Sequence, residues 1–392
     1  MKEISFSSKE KNFILKISII VGIVEFTMAL MNPFIAIYGN DLTNATPKLV
    51  GLALGIYGLT QAIFQIPYGL LSDKWGRKPI IIAGLTQMTI GFILSYMAPN
   101  IVVFIIARAF LGSGAVLGVS YSWVGDSFTD EKKNKAMGTA GTVVGAAAAV
   151  AFGLGPILRK VASISVMFLV SAVLIAVGLL IVIVLMVESK GKKSVEVKEK
   201  VKYKEVLSDK NLYKIFSNGL LMDYMLFSIY YIVPLVAKQY VGESGMWKIF
   251  LPATLLGIVS INVTSKTADK AGAKKVMTTL FVITLVGVSL FLMDGLAPVM
   301  IGMILFMSGF MGLKVLLPST INILTKKNYR GLANGILNTC IFFGSFLGGS
   351  VTGMLWEKGK TPAIIVLICT AIIGGVISLS VKEENKQKEK MV

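Results

Sequence analysis

Residues 69–79 read Gly-Leu-Leu-Ser-Asp-Lys-Trp-Gly-Arg-Lys-Pro, a charged turn set between two long apolar stretches. A second turn, at residues 265–275, reads Ser-Lys-Thr-Ala-Asp-Lys-Ala-Gly-Ala-Lys-Lys. Both contain the pattern Asp-Lys-x-Gly-x-Lys, and the two copies start 196 residues apart. A repeat of this length predicts that the chain is built from two similar halves.

The composition around these turns is that of an integral membrane protein. Hydrophobic residues make up 55% of the 392 residues and charged residues 15%, and the mean hydropathy is +0.76. Apolar stretches of about 20 residues recur along the chain, and each can cross a bilayer core of about 30 Å as a helix. These stretches are too long and too rich in glycine for barrel strands, so helices are the expected spanning structure.

Twelve such helices are predicted, at residues 17–38, 49–71, 79–98, 101–124, 136–158, 163–187, 215–237, 249–267, 275–293, 297–324, 332–356 and 361–381. The expected fold is therefore an all-α membrane protein of two pseudo-symmetric bundles. We assign residues 1–187 to an N-terminal six-helix bundle and residues 188–214 to a polar cytoplasmic linker. Residues 215–392 form a C-terminal six-helix bundle with a short tail in this prediction.

Basic residues are distributed unevenly between the two sides of these helices. Thirty of the 39 Lys and Arg residues fall at the termini or in the loops on the same side, and seven fall in the opposite loops. Since cytoplasmic loops carry the excess of basic residues, both termini are expected in the cytoplasm, with the chain in a bacterial-type cytoplasmic (inner) membrane. The same bias explains the net charge of +18, so no nucleic-acid partner is expected.

Residues 69–79 resemble the signature of the loop between helices 2 and 3 in the major facilitator superfamily, Gly-x-x-x-Asp-Arg/Lys-x-Gly-Arg-Arg/Lys. The matching positions are Gly69, Asp73, Gly76, Arg77 and Lys78. The resemblance implies a secondary transporter that works by alternating access on a small-molecule substrate held between the two bundles. We expect it to act as a monomer within the lipid bilayer.

The charged turn has an expected role at the cytoplasmic gate. Asp73 and Asp126 stand at helix ends of negative polarity, where an acid needs a cationic partner. The resemblance implies that Arg77 pairs with Asp126, and that Asp73 approaches the positive start of helix 11 near Gly331 when the inner gate is shut. The alternative is a cluster of charges that only sets membrane topology.

Glycines at four-residue spacing predict close helix packing. Helix 5 carries Gly141, Gly145 and Gly153, and helix 2 carries Gly51 and Gly55. The resemblance implies that helix 2 packs on helix 11, and helix 5 on helix 8, across the interface that moves. Static packing is the alternative interpretation.

Four charged residues lie well inside the predicted helices, where a charge is costly and usually marks a functional path. They are Glu25 in helix 1, Arg108 in helix 4, Asp223 in helix 7 and Lys314 in helix 10. The family lines its central cavity with these four helices, so each half would offer one acid and one base. We expect Glu25, or else Asp223, to carry a proton while the bases tune it. The alternative is two structural ion pairs.

Two further motifs point to exchange with protons. Residues 108–114 read Arg-Ala-Phe-Leu-Gly-Ser-Gly and resemble the helix 4 motif Arg-x-x-x-Gly-x-Gly of drug:proton antiporters, whose Arg takes part in proton coupling. Residues 155–156, Gly-Pro, resemble their helix 5 motif. However, Arg159 and Lys160 replace the usual Gly-Gly, which weakens the assignment to exporters.

The predicted substrate cavity has mainly aromatic walls. Aromatic groups with few polar neighbours suit apolar or cationic aromatic solutes better than sugars. The predicted lining residues are Asn32, Tyr121, Trp123, Phe227, Tyr230, Phe342 and Phe346.

Three functions stay open at this point. The first is proton-coupled export of small amphipathic or drug-like compounds, and the second is proton-coupled symport or facilitated transport of a small metabolite. The third is a non-transporting receptor or assembly factor, for which the short tails and linker offer no large extra domain. No nucleotide-binding loop and no histidine are present, so we expect no enzyme, no metal site and no cofactor, with protons as the coupling ion.

Overall fold

A computed structural model of the chain describes residues 6–188, 206, 208–326 and 329–382. This part of the chain contains twelve helices that are long and apolar enough to span a membrane, as predicted. They are α1 Ser8–Asn40, α2 Pro47–Trp75, α3 Arg77–Tyr96, α4 Ile101–Ser127, α5 Glu131–Leu158, α6 Ile164–Leu185, α7 Lys210–Val241, α8 Glu243–Ala271, α9 Ala273–Leu292, α10 Leu296–Leu324, α11 Arg330–Trp356 and α12 Lys360–Leu379.

The helices extend beyond the apolar stretches that predicted them, because polar caps continue the helical backbone. α1 begins at Ser8 rather than at residue 17, since Ser7 and Glu10 form a reciprocal capping box. α7 begins at Lys210 rather than at residue 215, because the Asp209 carboxylate accepts the first free backbone N–H groups. Most of the predicted linker, residues 189–205 and 207, lies outside the described residues.

Two spans are interrupted. α1 contains a short 3-10 turn at Asn32–Phe34, where Pro33 cannot donate a helical hydrogen bond. α4 consists of two segments, Ile101–Ser113 and Val116–Ser127, so the continuous helix predicted for residues 101–124 is wrong. The break falls inside the glycine motif that follows Arg108.

α2 and α11 form the main contact between the two halves, and glycines make it possible. A Cβ atom on Gly51 would lie 2.5 Å from the carbonyl oxygen of Gly349, and one on Gly55 would lie 2.5 Å from that of Phe346. A Cβ on Gly58 would lie 2.5 Å from the carbonyl oxygen of Phe342. The backbones therefore touch, and the predicted packing of helix 2 on helix 11 is present.

Among the described residues, the close glycine contacts between the halves lie on one side. All three glycine contacts of α2 lie toward the side opposite the chain termini, which we call the outer side; the side with the termini is the inner side. On α5, a Cβ added to Gly153 would lie 3.0 Å from the Leu251 side chain of α8. Added Cβ atoms at Gly141, Gly145 and Gly331 would meet nothing within 4 Å among the described residues. The cleft between the halves is thus closed on the outer side and open on the inner side.

The repeat seen in the sequence is also present in the backbone. Gly76 and Gly272 follow α2 and α8 with φ of +100° and +89°, a conformation that favours glycine. The Lys16 ammonium donates to the carbonyl oxygen of Leu185 at the end of α6, and that of Lys214 donates to the carbonyl oxygen of Ser380 at the end of α12. The ends of α6 and α12 therefore have matching surroundings.

Candidate functional site

Glu25 lies on α1 with a half-buried side chain. Its carboxyl group is within electrostatic range of Tyr57 on α2, Tyr121 on α4, and Tyr230 and Asp223 on α7. Since these groups belong to both halves, Glu25 faces the space between them. Glu25 forms no ion pair within the part of the chain that the structure describes.

Asp223 is more deeply buried than Glu25 and is tied to α11. Its side chain is 7% exposed, and its carboxylate accepts a hydrogen bond from the Ser345 hydroxyl. Lys314 on α10 is within electrostatic range of Asp223 but is itself exposed, with its ammonium 5.9 Å from the Phe310 ring centre. The alternative interpretation, a structural ion pair between Asp223 and Lys314, is therefore not seen in this conformation.

Arg108 is completely buried and has no anionic partner among the described residues. Its Nε donates to the carbonyl oxygen of Ala53 at 3.2 Å, and its Cζ lies 5.1 Å from the centre of the Tyr57 ring. Its Nη1 and Nη2 have no hydrogen-bond partner in the described structure. The alternative interpretation, a structural ion pair between Arg108 and an acid, is not seen among the described residues, because the guanidinium lies between α4 and α2.

Glycines of the α4 motif hold Arg108 in place through close packing. A Cβ on Gly112 would overlap the carbonyl oxygen of Tyr57, and one on Gly114 would lie 2.5 Å from that of Gly84 on α3. α4 is thus wedged between α2 and α3, with Arg108 pressed onto the Tyr57 ring. Tyr57 was not predicted from the sequence, since only the fold brings α2 against this motif.

Replacing Arg108 with Ala is expected to abolish proton-driven transport while the protein stays folded. A buried ion pair that loses one partner costs about 3–5 kcal/mol, but Arg108 has no such partner here. Uptake into inverted membrane vesicles measures transport, and thermal unfolding in detergent measures stability. Arg108→Lys is the matched variant that keeps the charge. Unchanged uptake in Arg108→Ala would assign this residue a packing role only.

Two of the seven predicted cavity residues, Tyr121 and Tyr230, lie within electrostatic range of Glu25 and so face the cleft. Phe227 and Tyr230 are buried on α7, and Tyr230 stacks on Phe152 of α5 with ring centres 6.2 Å apart, joining the two halves. Asn32, Tyr121, Phe342 and Phe346 are partly buried. The Oδ1 atom of Asn32 is buried without a partner in the described structure.

Trp123 does not belong to the cavity wall. Its side chain is fully buried and contacts the Phe13 ring of α1, with centres 5.7 Å apart. Trp123 is two positions after Tyr121 on α4, so its side chain points to a different face of the helix and packs inside the N-terminal half. The prediction of Trp123 as a lining residue is therefore wrong.

The charged turn at residues 69–79 is built around Arg77. Its guanidinium contacts Asp73 at 2.6 Å and Asp126 at 2.8 Å and also donates to the Ser72 hydroxyl. The predicted pair of Arg77 and Asp126 is present. Asp73 is 58% exposed and, together with the open space at Gly331, this shows that the predicted approach of Asp73 to α11 is not made in this conformation.

Glu188 completes this turn and was missed by sequence reasoning. Its carboxylate accepts the backbone N–H groups of Arg77 at 3.1 Å and Lys78 at 2.8 Å, which are the first residues of α3. Lys78 in turn donates to the carbonyl oxygens of Ile183 and Met186 at the end of α6. The turn is thus fixed to α6 by an acid that satisfies a helix N-terminus.

Replacing Arg77 with Ala is expected to lower transport about tenfold with little change in stability. The ion pairs are partly exposed, and such pairs contribute about 1 kcal/mol or less to folding. The expected gating role requires the turn in position to close the inner side, so the conformational step should slow. Transport at equal membrane expression is the measurement, and exposed Lys74→Ala is the matched control. Transport rates that agree between the Arg77 and Lys74 variants would contradict the gating role.

A charged cluster joins the halves on the outer side. Glu243 at the start of α8 accepts from Arg159, which follows α5, at 2.6 Å, and from Lys238 on α7 at 2.8 Å. Nearby, the hydroxyl of Tyr231 donates to the carbonyl oxygen of Pro47 at 3.1 Å, again between halves. The departure from the Gly-Gly motif at residue 159 was the signal that could have found this contact.

Replacing Arg159 with Gly is expected to shift the outer side toward the open state by about fivefold. The change removes one partly exposed ion pair, worth about 1 kcal/mol. Distances between spin labels at Val161 and Thr361 would report opening, with Cys340 and Cys369 replaced by Ser. Lys160→Gly, the exposed neighbour, is the control. An unchanged distance distribution in Arg159→Gly would show that the cluster does not hold the gate.

Known proteins similar to this chain share its helical organisation. The family model described as Major Facilitator Superfamily matches residues 17–349 and 264–390. The chain is 30% identical over 357 residues to the inner membrane transport protein YajR of Escherichia coli (strain K12), which covers 89% of this chain and 78% of that protein. It is 29% identical over 107 residues to multidrug resistance protein D of the same organism, which covers 27% of each. A crystal structure of a mutant of the nucleoside transporter NupG has a TM-score of 0.79 at 12% identity, covering 95% of this chain and 100% of that one.

Proposed function

The chain belongs to the major facilitator superfamily and is a multi-pass membrane transporter of small molecules, and from this membership we propose that it exports small amphipathic or drug-like compounds in exchange for protons. The proposed coupling ion is the proton, with no other cofactor. We further propose that the transporter is a monomer in a bacterial inner membrane, with both termini in the cytoplasm because basic residues are concentrated on that side.

One observation carries the proposal: two carboxyl groups from opposite halves face the same space inside the membrane. Glu25 and Asp223 lie within electrostatic range of each other and of Tyr230. Burial favours the neutral form of an acid and a nearby cation favours the charged form, so an acid that changes surroundings can bind and release a proton. In this conformation Glu25 has no ion-pair partner among the described residues, as a carboxyl group able to take up a proton requires.

The shape of the cleft supports a place in the transport cycle. With the termini in the cytoplasm, the inner side is the cytoplasmic side, and this structure corresponds to the inward-facing state. Substrate would enter the cleft from the cytoplasm and meet aromatic side chains such as Phe227 and Tyr230 beside the two acids. That combination suits a partly apolar, cationic solute. The name of the similar multidrug resistance protein D supports a drug-like substrate.

A second candidate is symport or facilitated transport of a small metabolite. The observation that favours it is Arg159, which occupies a position where the exporter motif has glycine and contacts Glu243 instead. An outer gate closed by Glu243, which contacts bases of both halves, is compatible with export and with import.

Transport into proteoliposomes with an imposed pH gradient tests the proposal. Export by exchange predicts that a solute accumulates when protons run in the opposite sense, and that the gradient collapses faster when solute is added. Lipophilic cations, a nucleoside and a sugar form the solute panel. Accumulation in the same sense as the proton flow would favour the symporter, and solute movement independent of the gradient would contradict proton coupling.

A further inference from the structure

A cavity of about 550 Å³ lies in the C-terminal half on the inner side, outside the central cleft. It is bounded by the ends of α8 and α10, the start of α9 and the chain just after α12. Its charged lining consists of Asp269, Lys270, Lys274 and Lys382. With three bases and one acid, the cavity is suited to an anionic group.

The internal repeat explains why this space exists. In the N-terminal half the corresponding space holds the pair of Arg77 and Asp126, whose side chains lie 2.8 Å apart. At the repeat distance of 196 residues, Arg77 corresponds to Ala273, and at the distance of 197 found further along the chain, Asp126 corresponds to Ile323. Both Ala273 and Ile323 line the cavity. The charged pair is therefore replaced by a short and an apolar side chain, which leaves room.

The repeat also indicates what belongs there. Leu185, whose carbonyl accepts from Lys16, is followed three residues later by Glu188, which binds the first N–H groups of α3. Ser380, whose carbonyl accepts from Lys214, is followed three residues later by Glu383. Glu384 is the residue 196 positions after Glu188. Both glutamates lie outside the described residues and follow directly after Lys382, which already lines the cavity.

We infer that the acidic pair Glu383–Glu384 of the C-terminal tail docks in this cavity and binds the N-terminus of α9. A carboxylate there meets the lysines of the lining and the N–H groups at the start of a helix, where negative charge is stabilised. Docking would fix the end of α12 to the turn at residues 265–275, as Glu188 fixes the end of α6 to the turn at residues 69–79. The anionic head group of a phospholipid has similar chemistry and is the competing occupant.

Protection of a single cysteine tests this docking. Ser319 lines the cavity and is exposed among the described residues. The full chain would carry Ser319→Cys, with Cys340 and Cys369 replaced by Ser, and would be purified in detergent with lipid removed. The rate of labelling by a charged maleimide is compared between this protein and two tail variants of it. One variant carries both Glu383→Gln and Glu384→Gln, and the other is truncated after Lys382. Val187→Cys, at 83% exposure outside the cavity, controls for general reactivity.

We expect labelling of the Ser319→Cys thiol to be about tenfold slower in the full chain than in either tail variant, since a tethered group has a high local concentration. The Val187→Cys control should react equally in all three. Equal labelling of the Ser319→Cys thiol in all three proteins would overturn the inference. Protection that requires added phosphatidylglycerol and is the same with and without the two acids would also overturn it, because the head group would then be the occupant. Folding of each variant is checked by size-exclusion chromatography.

Discussion

Replacement of Glu25 with Gln is expected to abolish proton-driven accumulation of substrate and to leave the protein folded. Gln has nearly the shape of a protonated Glu, so it fixes the neutral state and prevents release of the proton. Because Glu25 forms no ion pair among the described residues, the change strands no buried base. The melting temperature should therefore shift by less than about 3 °C.

The measurement is gradient-driven uptake in proteoliposomes, beside substrate binding and energy-independent exchange, which should both persist. Asp223→Asn is the matched variant in the other half. Its effect on stability should be larger, because Asp223 is 7% exposed and accepts a hydrogen bond from Ser345. If Glu25→Gln accumulates substrate normally while Asp223→Asn does not, the proton carrier is in the C-terminal half and the assignment to Glu25 is wrong.

Replacement of Gly55 with Ala is expected to prevent full closure of the outer side. The new methyl group would lie 2.5 Å from the carbonyl oxygen of Phe346 and 3.0 Å from the Ser350 hydroxyl, so α2 and α11 must move apart. Overpacking of this kind costs about 1–3 kcal/mol, which lowers the equilibrium constant for closing the outer side by about 5- to 150-fold. Since the cycle needs that state, transport should fall by a similar factor.

Distances between spin labels at Val161 and Thr361 would measure outer opening in this variant as well. Gly375→Ala is the matched control, because it is also a helical glycine but its added Cβ would meet Phe281 at an ordinary 3.7 Å. Both changes gain helix propensity, so that effect cancels. Equal distance distributions in the two variants would contradict the importance of backbone contact between α2 and α11.

Local chemistry predicted most of the fold. Hydropathy gave the number of spans, and the repeated Asp-Lys-x-Gly-x-Lys turn gave the two halves. The pair of Arg77 and Asp126 was predictable because two helix ends with acids needed one base in the turn between α2 and α3. Helix ends were placed less well, since caps such as Ser7 and Asp209 lie outside the apolar stretches.

The site was harder to predict because its contacts depend on packing between distant segments. A structural ion pair was the alternative interpretation of Arg108, but close packing of Gly112 on α2 places its guanidinium on the Tyr57 ring instead. Trp123 faces the interior of its own bundle, where it contacts the Phe13 ring of α1. The contacts of Glu188 join residues far apart in the sequence, so composition and spacing give no sign of them. For Glu243 the sequence held one sign, the basic residue Arg159 at a position where the exporter motif has glycine.

The charged cluster on the outer side bears on how fast that gate can open. Glu243 contacts two bases, and only Arg159 belongs to the other half, while Lys238 lies on α7 of the same half as Glu243. When the halves separate, Glu243 loses its contact with Arg159 and keeps its contact with Lys238, so it retains a cationic partner. An uncompensated charge at the transition state would raise the activation barrier, and Lys238 removes that contribution. The rate of gate opening should therefore depend on Lys238, whereas the equilibrium between the open and closed gate depends on Arg159.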